Sequence, residues 1–136
     1  MTDRELFRKA VEMTEFSYAP FSKFRVGAAL LAKDGTVYTG CNVENSSFGG
    51  TICAERTAFV KAVSEGCREF EKIAITACPV PEDGADEAFV EAWPCVICRQ
   101  FMKEFCEDDF VIITGTGEET MRSMTMKEIL PEGFRL

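Results

Sequence analysis

The chain contains no histidine, so the side chain that most often shuttles protons near neutral pH is absent. Ser-His and Cys-His nucleophile pairs are thereby excluded. Acid–base work falls to a carboxylate, Lys, Tyr, Cys or a metal-bound water. Positive charge is scarce as well: 15 Lys and Arg face 23 Asp and Glu, a formal net charge of −8 with a pI near 4.6. Binding to a phosphate backbone draws mainly on positive charge, so neither a nucleic-acid partner nor an anionic membrane is expected. No apolar run approaches the roughly 20 residues that span a bilayer. Met1-Thr2-Asp3-Arg4-Glu5 is charged where a secretory segment would be apolar. Seven cysteines are present, Cys41, Cys53, Cys67, Cys78, Cys95, Cys98 and Cys106. Their odd number without a leader points to thiols or metal ligands in a reducing compartment, with the cytoplasm as the expected address.

With 136 residues, 46% of them hydrophobic, the chain fits one compact domain over residues 1–136. Thr2 to Glu5 reads as a capping box, followed by an amphipathic stripe of Leu6, Phe7, Ala10, Val11 and Met13 running to about Phe16. After a loop through Pro20, Arg25 to Lys33 reads as a strand, Asp34-Gly35 as a hairpin turn, and Thr36 to Cys41 as the returning strand. Thr51 is a candidate cap for a second helix, with Cys53 in its first turn and a stop near Gly66. Lys72 to Cys78 is a short β-rich run. Pro79 to Trp93 reads as an acidic surface loop with room for one helical turn, and Pro94 as the opening of a third helix through Phe105. Phe110 to Thr114 reads as a buried strand and Glu119 to Met124 as an edge strand. Thr125 to Glu128 is a second capping box before a short helix that ends at Pro131. Three main helices among four or five strands give an α/β layer arrangement with a mixed sheet.

The chemistry concentrates in Cys53-Ala54-Glu55 and Pro94-Cys95-Val96-Ile97-Cys98. A lone C-x-x-C is compatible with a redox pair, a zinc corner or plain packing. Here both cysteine groups fall at helix starts, where amide dipoles favour thiolate, and Cys95 and Cys98 share a helix face. Glu55 follows two residues after the third cysteine. Three thiolates leave one position open on tetrahedral zinc, as a catalytic site requires, and a ligand-x-Glu with a distant Pro-Cys-x-x-Cys is the zinc-deaminase signature. Arg56 and Arg99 are placed to donate to sulfur and draw charge back from so rich a ligand set. The plainer readings are three inert buried thiols, or a closed structural zinc site completed by Cys41. Cys67, Cys78 and Cys106 read as ordinary core or surface residues.

Four stretches together carry a resemblance that runs from about Leu6 to Phe134. They are Tyr18 to Leu30 (YAPFSKFRVGAAL), Gly40 to Asn45 (GCNVEN), Cys53 to Ala58 (CAERTA) and Pro94 to Gln100 (PCVICRQ). The chain resembles the cytidine deaminases of the small homotetrameric type. The resemblance implies a three-layer α/β/α fold with a mixed, roughly five-stranded sheet. It implies zinc on Cys53, Cys95 and Cys98, with Glu55 moving protons between the zinc-bound water, the ring nitrogen and the leaving amine of cytidine or 2′-deoxycytidine, in pyrimidine salvage. Asn42 and Glu44 are similar to the pair that holds the ribose 3′-hydroxyl, Phe24 to the aromatic that packs on the nucleoside, and Ala54 to the residue whose amide meets the base carbonyl. Phe134 matches a C-terminal aromatic that reaches a neighbouring subunit's pocket, which implies a tetramer.

Three departures from the family pattern stand near the expected substrate position. Val96 replaces a usual glycine, Trp93 stands where serine is common, and Phe48 replaces a tyrosine. The acidic stretch 79–93 is also longer than usual, and covering the pocket is one role for it. These departures leave open the same chemistry on a modified cytidine or another aminated heterocycle. A third reading is a zinc-stabilised module without catalysis.

Overall fold

The computed structural model describes residues 1–136. The Thr2 hydroxyl accepts a hydrogen bond from the Glu5 N–H at 3.2 Å, and helix α1 runs Asp3–Met13 from that cap before a 3-10 turn over Thr14–Phe16. Strand β1 (Phe24–Ala32) turns through Asp34 and Gly35 into β2 (Val37–Cys41). Helix α2 (Ala54–Ser64) follows, then β3 (Phe70–Pro79), the short β4 (Val90–Glu91), helix α3 (Val96–Lys103), β5 (Val111–Gly115), β6 (Met121–Thr125) and helix α4 (Met126–Ile129). At Thr125 both halves of the capping box with Glu128 form.

The sheet has six strands rather than five, in the order β2-β1-β3-β5-β6, with β4 also paired to β3. Only β3 and β5 pair in parallel, and a parallel pair needs a crossover, which α3 supplies. Alternation along the strands sorts the core into two layers. Ala29, Leu31, Ala74 and Ile113 pack on Leu6, Phe7 and Ala10 of α1. Ala28, Leu30, Ile73, Ile75 and Ile112 face the opposite layer of Ala58, Phe59, Met102, Met126 and Ile129, which completes the α/β/α sandwich. The Phe59 ring gathers this layer, lying 5.0 Å from Phe70 and 6.2 Å from both Phe101 and Phe110, centroid to centroid.

Two glycines set how closely the helices approach. A β-carbon on Gly27 would fall 2.0 Å from the Ala10 carbonyl oxygen of α1, and one on Gly40 would fall 2.5 Å from the Ala54 carbonyl oxygen of α2. The backbone at the start of α2 therefore rests directly on the end of β2.

Several boundaries differ from the sequence expectation. Cys53, not Thr51, caps α2: its extended backbone (φ −71, ψ 156) ends the loop, and its carbonyl accepts from Thr57 N at 3.0 Å. Cys95 likewise caps α3, so Pro94 lies outside the helix, and α3 stops at Lys103, short of Phe105. β3 begins at Phe70, two residues early. The acidic segment contains a strand, not a helical turn. Val90 and Glu91 extend the sheet beside Ala77 and Thr76, on the length of β3 beyond its pairing with β5.

Candidate active site

The topology brings one end of the sheet together. β2 and β3 both run antiparallel to β1, so the end of β2 at Cys41, the end of β3 at Pro79 and the start of β1 at Phe24 share one edge. α2 follows β2, and α3 follows β4, which pairs with the last part of β3, so both helices begin near this edge, and helix N-termini present free N–H groups to anions. Cysteine is the cap residue at each. The Sγ atoms of Cys53, Cys95 and Cys98 lie within 4.8 Å of one another, those of Cys53 and Cys95 at 3.8 Å, and the Cys98 N–H donates to Cys95 Sγ at 3.4 Å.

This donor set fits a metal of zinc's preference. With Zn–S bonds of about 2.3 Å, the edge of a tetrahedron is about 3.8 Å, which the Cys53–Cys95 separation matches. Two of these sulfurs, those of Cys53 and Cys98, push each other's titration in opposite directions. The Cys53 thiol is held down to about 5, first by a hydrogen bond with Cys98 and then, against burial, by Arg56 and Cys95. The Cys98 thiol is pushed up by its interaction with Cys53 and by burial. A dication removes that conflict by replacing the protons. Arg56 Nη2 reaches Cys53 Sγ at 3.6 Å, as expected from its place one turn on. Its Nε is buried with no partner in the protein. Arg99 departs from expectation: its Nε donates to the Pro94 carbonyl at 2.7 Å and its Nη1 to the Ile129 carbonyl at 3.1 Å. It fastens the start of α3 to α4 instead of withdrawing charge from sulfur. Cys41 is no fourth ligand, because its thiol points to the Phe16 carbonyl oxygen at 3.4 Å.

On the open side of the sulfurs lies a cavity of about 360 Å³, lined in part by Phe24, Val26, Asn42, Ala54, Glu55 and Trp93. Its volume falls in the range of small-molecule sites. Glu55 is only 4% exposed, and burial, reinforced by the negative charge of Cys53, pushes its carboxyl up to about 7. Asn42 is fixed as a joint between strands: its Oδ1 accepts from Val26 N at 2.9 Å and from the Ser17 hydroxyl, and its Nδ2 donates to the Phe24 carbonyl at 2.8 Å.

Neither Glu44 nor Phe134 lines this cavity. The Glu44 carboxylate accepts from Phe21 N at 2.9 Å, Ser22 N at 3.1 Å and the Ser22 hydroxyl, and these bonds hold it below the usual carboxylate range. Phe134 is 62% exposed and lies beside Ile97, Gln100 and Phe101 of α3. Of the three departures from the family pattern, only Trp93 reaches the cavity. Val96 is 73% exposed, and Phe48 is exposed with its ring edge-on to Phe21 at 5.7 Å. The acidic segment is tied down by charge, with Glu87 paired to Arg25 at 2.6 Å and Glu91 to Arg122 at 2.7 Å. Sequence reasoning missed those two arginines. The signal available was the opposite charge in strands flanking an acidic run.

The comparisons agree with this geometry. The family model for the cytidine and deoxycytidylate deaminase zinc-binding region matches residues 1–114. A cytidine deaminase of Halalkalibacterium halodurans is 43% identical over 136 residues, covering 97% of this chain and 94% of the relative. A blasticidin-S deaminase of Bacillus cereus is 31% identical over 129 residues, covering 95% and 89%. The crystal structure of cytidine deaminase from Burkholderia pseudomallei superposes with a TM-score of 0.85 at 38% identity, covering 98% of this chain and all of that one. The paired helix starts with their three cysteines, the buried glutamate beside them and these matches along nearly the whole length place the chain in the cytidine and deoxycytidylate deaminase family.

Proposed function

We propose that this protein hydrolyses the exocyclic amine of cytidine and 2′-deoxycytidine, giving uridine or 2′-deoxyuridine and ammonia, as a step of pyrimidine salvage in the cytoplasm. The observation that carries the reading is a buried carboxyl group, that of Glu55, sharing one cavity with a three-sulfur metal site. Bound at Cys53, Cys95 and Cys98, zinc supplies the Lewis acidity that makes a water nucleophilic near neutral pH.

The chain's own groups do the rest. As a carboxylate, Glu55 takes the attacking water's two protons in turn, the first as the water oxygen bonds to the ring carbon and the second from the hydroxyl left on that carbon. As an acid, it returns protons to the ring nitrogen and then to the departing amine. A carboxyl near 7 is suited to both tasks, because each form is available at the working pH. The water oxygen bonds to the ring carbon, the carbon–nitrogen bond breaks, and ammonia leaves. Ala54 is the first residue of α2, so its N–H has no intrahelical partner and meets the base carbonyl. Phe24 gives the nucleoside an apolar face, and Asn42 takes a sugar hydroxyl. Glu44 acts beside Asn42 by holding the 21–22 backbone. Phe134, exposed and away from its own chain's cavity, serves a neighbouring copy in a tetramer with shared pockets.

The test is ultraviolet-monitored turnover of cytidine and 2′-deoxycytidine by zinc-loaded protein, with ammonia quantified and free cytosine as the comparison. Both nucleosides disappear with one ammonia each, and cytosine, lacking the sugar, reacts far more slowly. A folded, zinc-loaded protein that left both nucleosides intact would contradict the proposal.

A further inference from the structure

We infer that Trp93, held in place by Arg122 and Glu91, is the wall that sets base selectivity, excluding cytosines that carry extra bulk beside the reacting carbon. This rests on the deamination reading above and deepens it. The segment before the metal-binding helix is tethered at successive residues. The Val90 carbonyl accepts from Thr76 Oγ1 at 3.3 Å. Glu91 pairs with Thr76 in the sheet, and its carboxylate accepts twice from Arg122 Nη1, at 2.7 and 2.9 Å. The Ala92 N–H donates to the Thr114 hydroxyl at 2.8 Å, and the Pro94 carbonyl accepts from Arg99. Trp93 stands between these anchors. It lines the cavity with Glu55 and Cys95, and the Arg122 guanidinium carbon lies 5.8 Å from its ring centroid, within cation–π range.

The ring is therefore a plate with its backbone locked and a cation, itself fixed by a carboxylate, packed against it. It stands two residues from the ligand Cys95. The carbon that loses its amine must sit beside the sulfurs and Glu55, so groups on the adjacent ring carbon or on the amine fall in the part of the cavity that Trp93 bounds. A tethered indole cannot yield to a methyl group as a flexible side chain does. The cost of a single methyl group in such a pocket is about 10–200-fold in kcat/KM.

The chain has a single tryptophan, so its emission reports on this wall alone. Two readouts are taken on zinc-loaded protein. The first is catalytic efficiency (kcat/KM) toward the two methylated nucleosides, 5-methylcytidine and N4-methylcytidine, each as a ratio to cytidine. The second is tryptophan emission of Glu55→Gln protein titrated with cytidine, which needs no turnover. Cytidine changes the emission saturably, and the wild type disfavours both methylated nucleosides. Trp93→Ala raises at least one of the two ratios by about tenfold or more, and Trp93→Leu is read the same way if the alanine variant fails to fold. Arg122→Ala raises the ratio less and shifts the emission maximum of the free protein, as a positioning residue should. Ratios within twofold of wild type in a Trp93 variant that still turns over cytidine would overturn the wall while leaving the deaminase standing. So would cytidine that binds the Glu55→Gln protein without moving its emission. Wild-type protein that does not turn over cytidine would overturn the deamination reading and this inference with it.

Discussion

Arg56 and Arg99 each stand beside a ligand cysteine in sequence, yet only one faces sulfur. Residues three apart on a helix share a face, whereas neighbours point about 100° apart. Arg56, three after Cys53, reaches its sulfur, whereas Arg99, directly after Cys98, turns to the Pro94 and Ile129 carbonyls. The two substitutions should separate accordingly. Arg56→Ala weakens zinc binding by about 10–100-fold, measured by competition with a chromophoric chelator. Arg99→Ala leaves carbonyls unpaired and costs about 1–3 kcal/mol of stability, read from urea unfolding of the zinc-loaded protein. The three-sulfur cluster and the buried Glu55 beside it were legible in the sequence because their pattern is local: a thiol at a helix start and a carboxylate two residues on. The hydrogen-bond partners of Arg99 and Glu44 were not, because a side chain's direction depends on packing that residue spacing alone does not state.

The helices carry the site and the sheet aims them. Gly40 lets the start of α2 lie on β2, with no room for a β-carbon, so Gly40→Ala must lift the segment that holds Cys53 and Glu55. Overpacking of this kind costs about 1–3 kcal/mol, and the variant should lose zinc affinity along with stability. Thr125→Ala offers the contrast. It removes the cap of α4 for about 1 kcal/mol and leaves zinc affinity at the wild-type value in the same chelator competition. The helices and the longer strands followed from hydrophobic period and caps. β4 did not, because two residues are too few to show alternation, and its pairing is set by the exposed length of β3 and by the Glu91–Arg122 ion pair. The cysteine caps were missed for a related reason. Hydroxyl and carboxamide side chains are the usual signal; here the Cys95 sulfur accepts from Cys98 N at the start of α3, and Cys53 caps α2 through its backbone alone.

At the scale of the molecule, the metal site joins two helices that otherwise meet through the Phe59 cluster. Zinc binding is therefore coupled to folding, and removing zinc with a chelator should lower the melting temperature, with recovery on adding zinc back. Phe134→Ala tests the proposal that pockets are shared between subunits: kcat/KM for cytidine falls although the side chain lies outside its own chain's cavity, and mixing it with Glu55→Gln protein restores part of the activity. The central claim is that three sulfurs hold the metal while Glu55 moves the protons. It is tested most directly by measuring zinc content and cytidine turnover side by side in wild type, Glu55→Gln and Cys95→Ser. Glu55→Gln should keep its zinc and lose turnover by at least about 100-fold, whereas Cys95→Ser should lose both. Glu55→Gln protein that kept its zinc and deaminated cytidine at the wild-type rate would contradict the account.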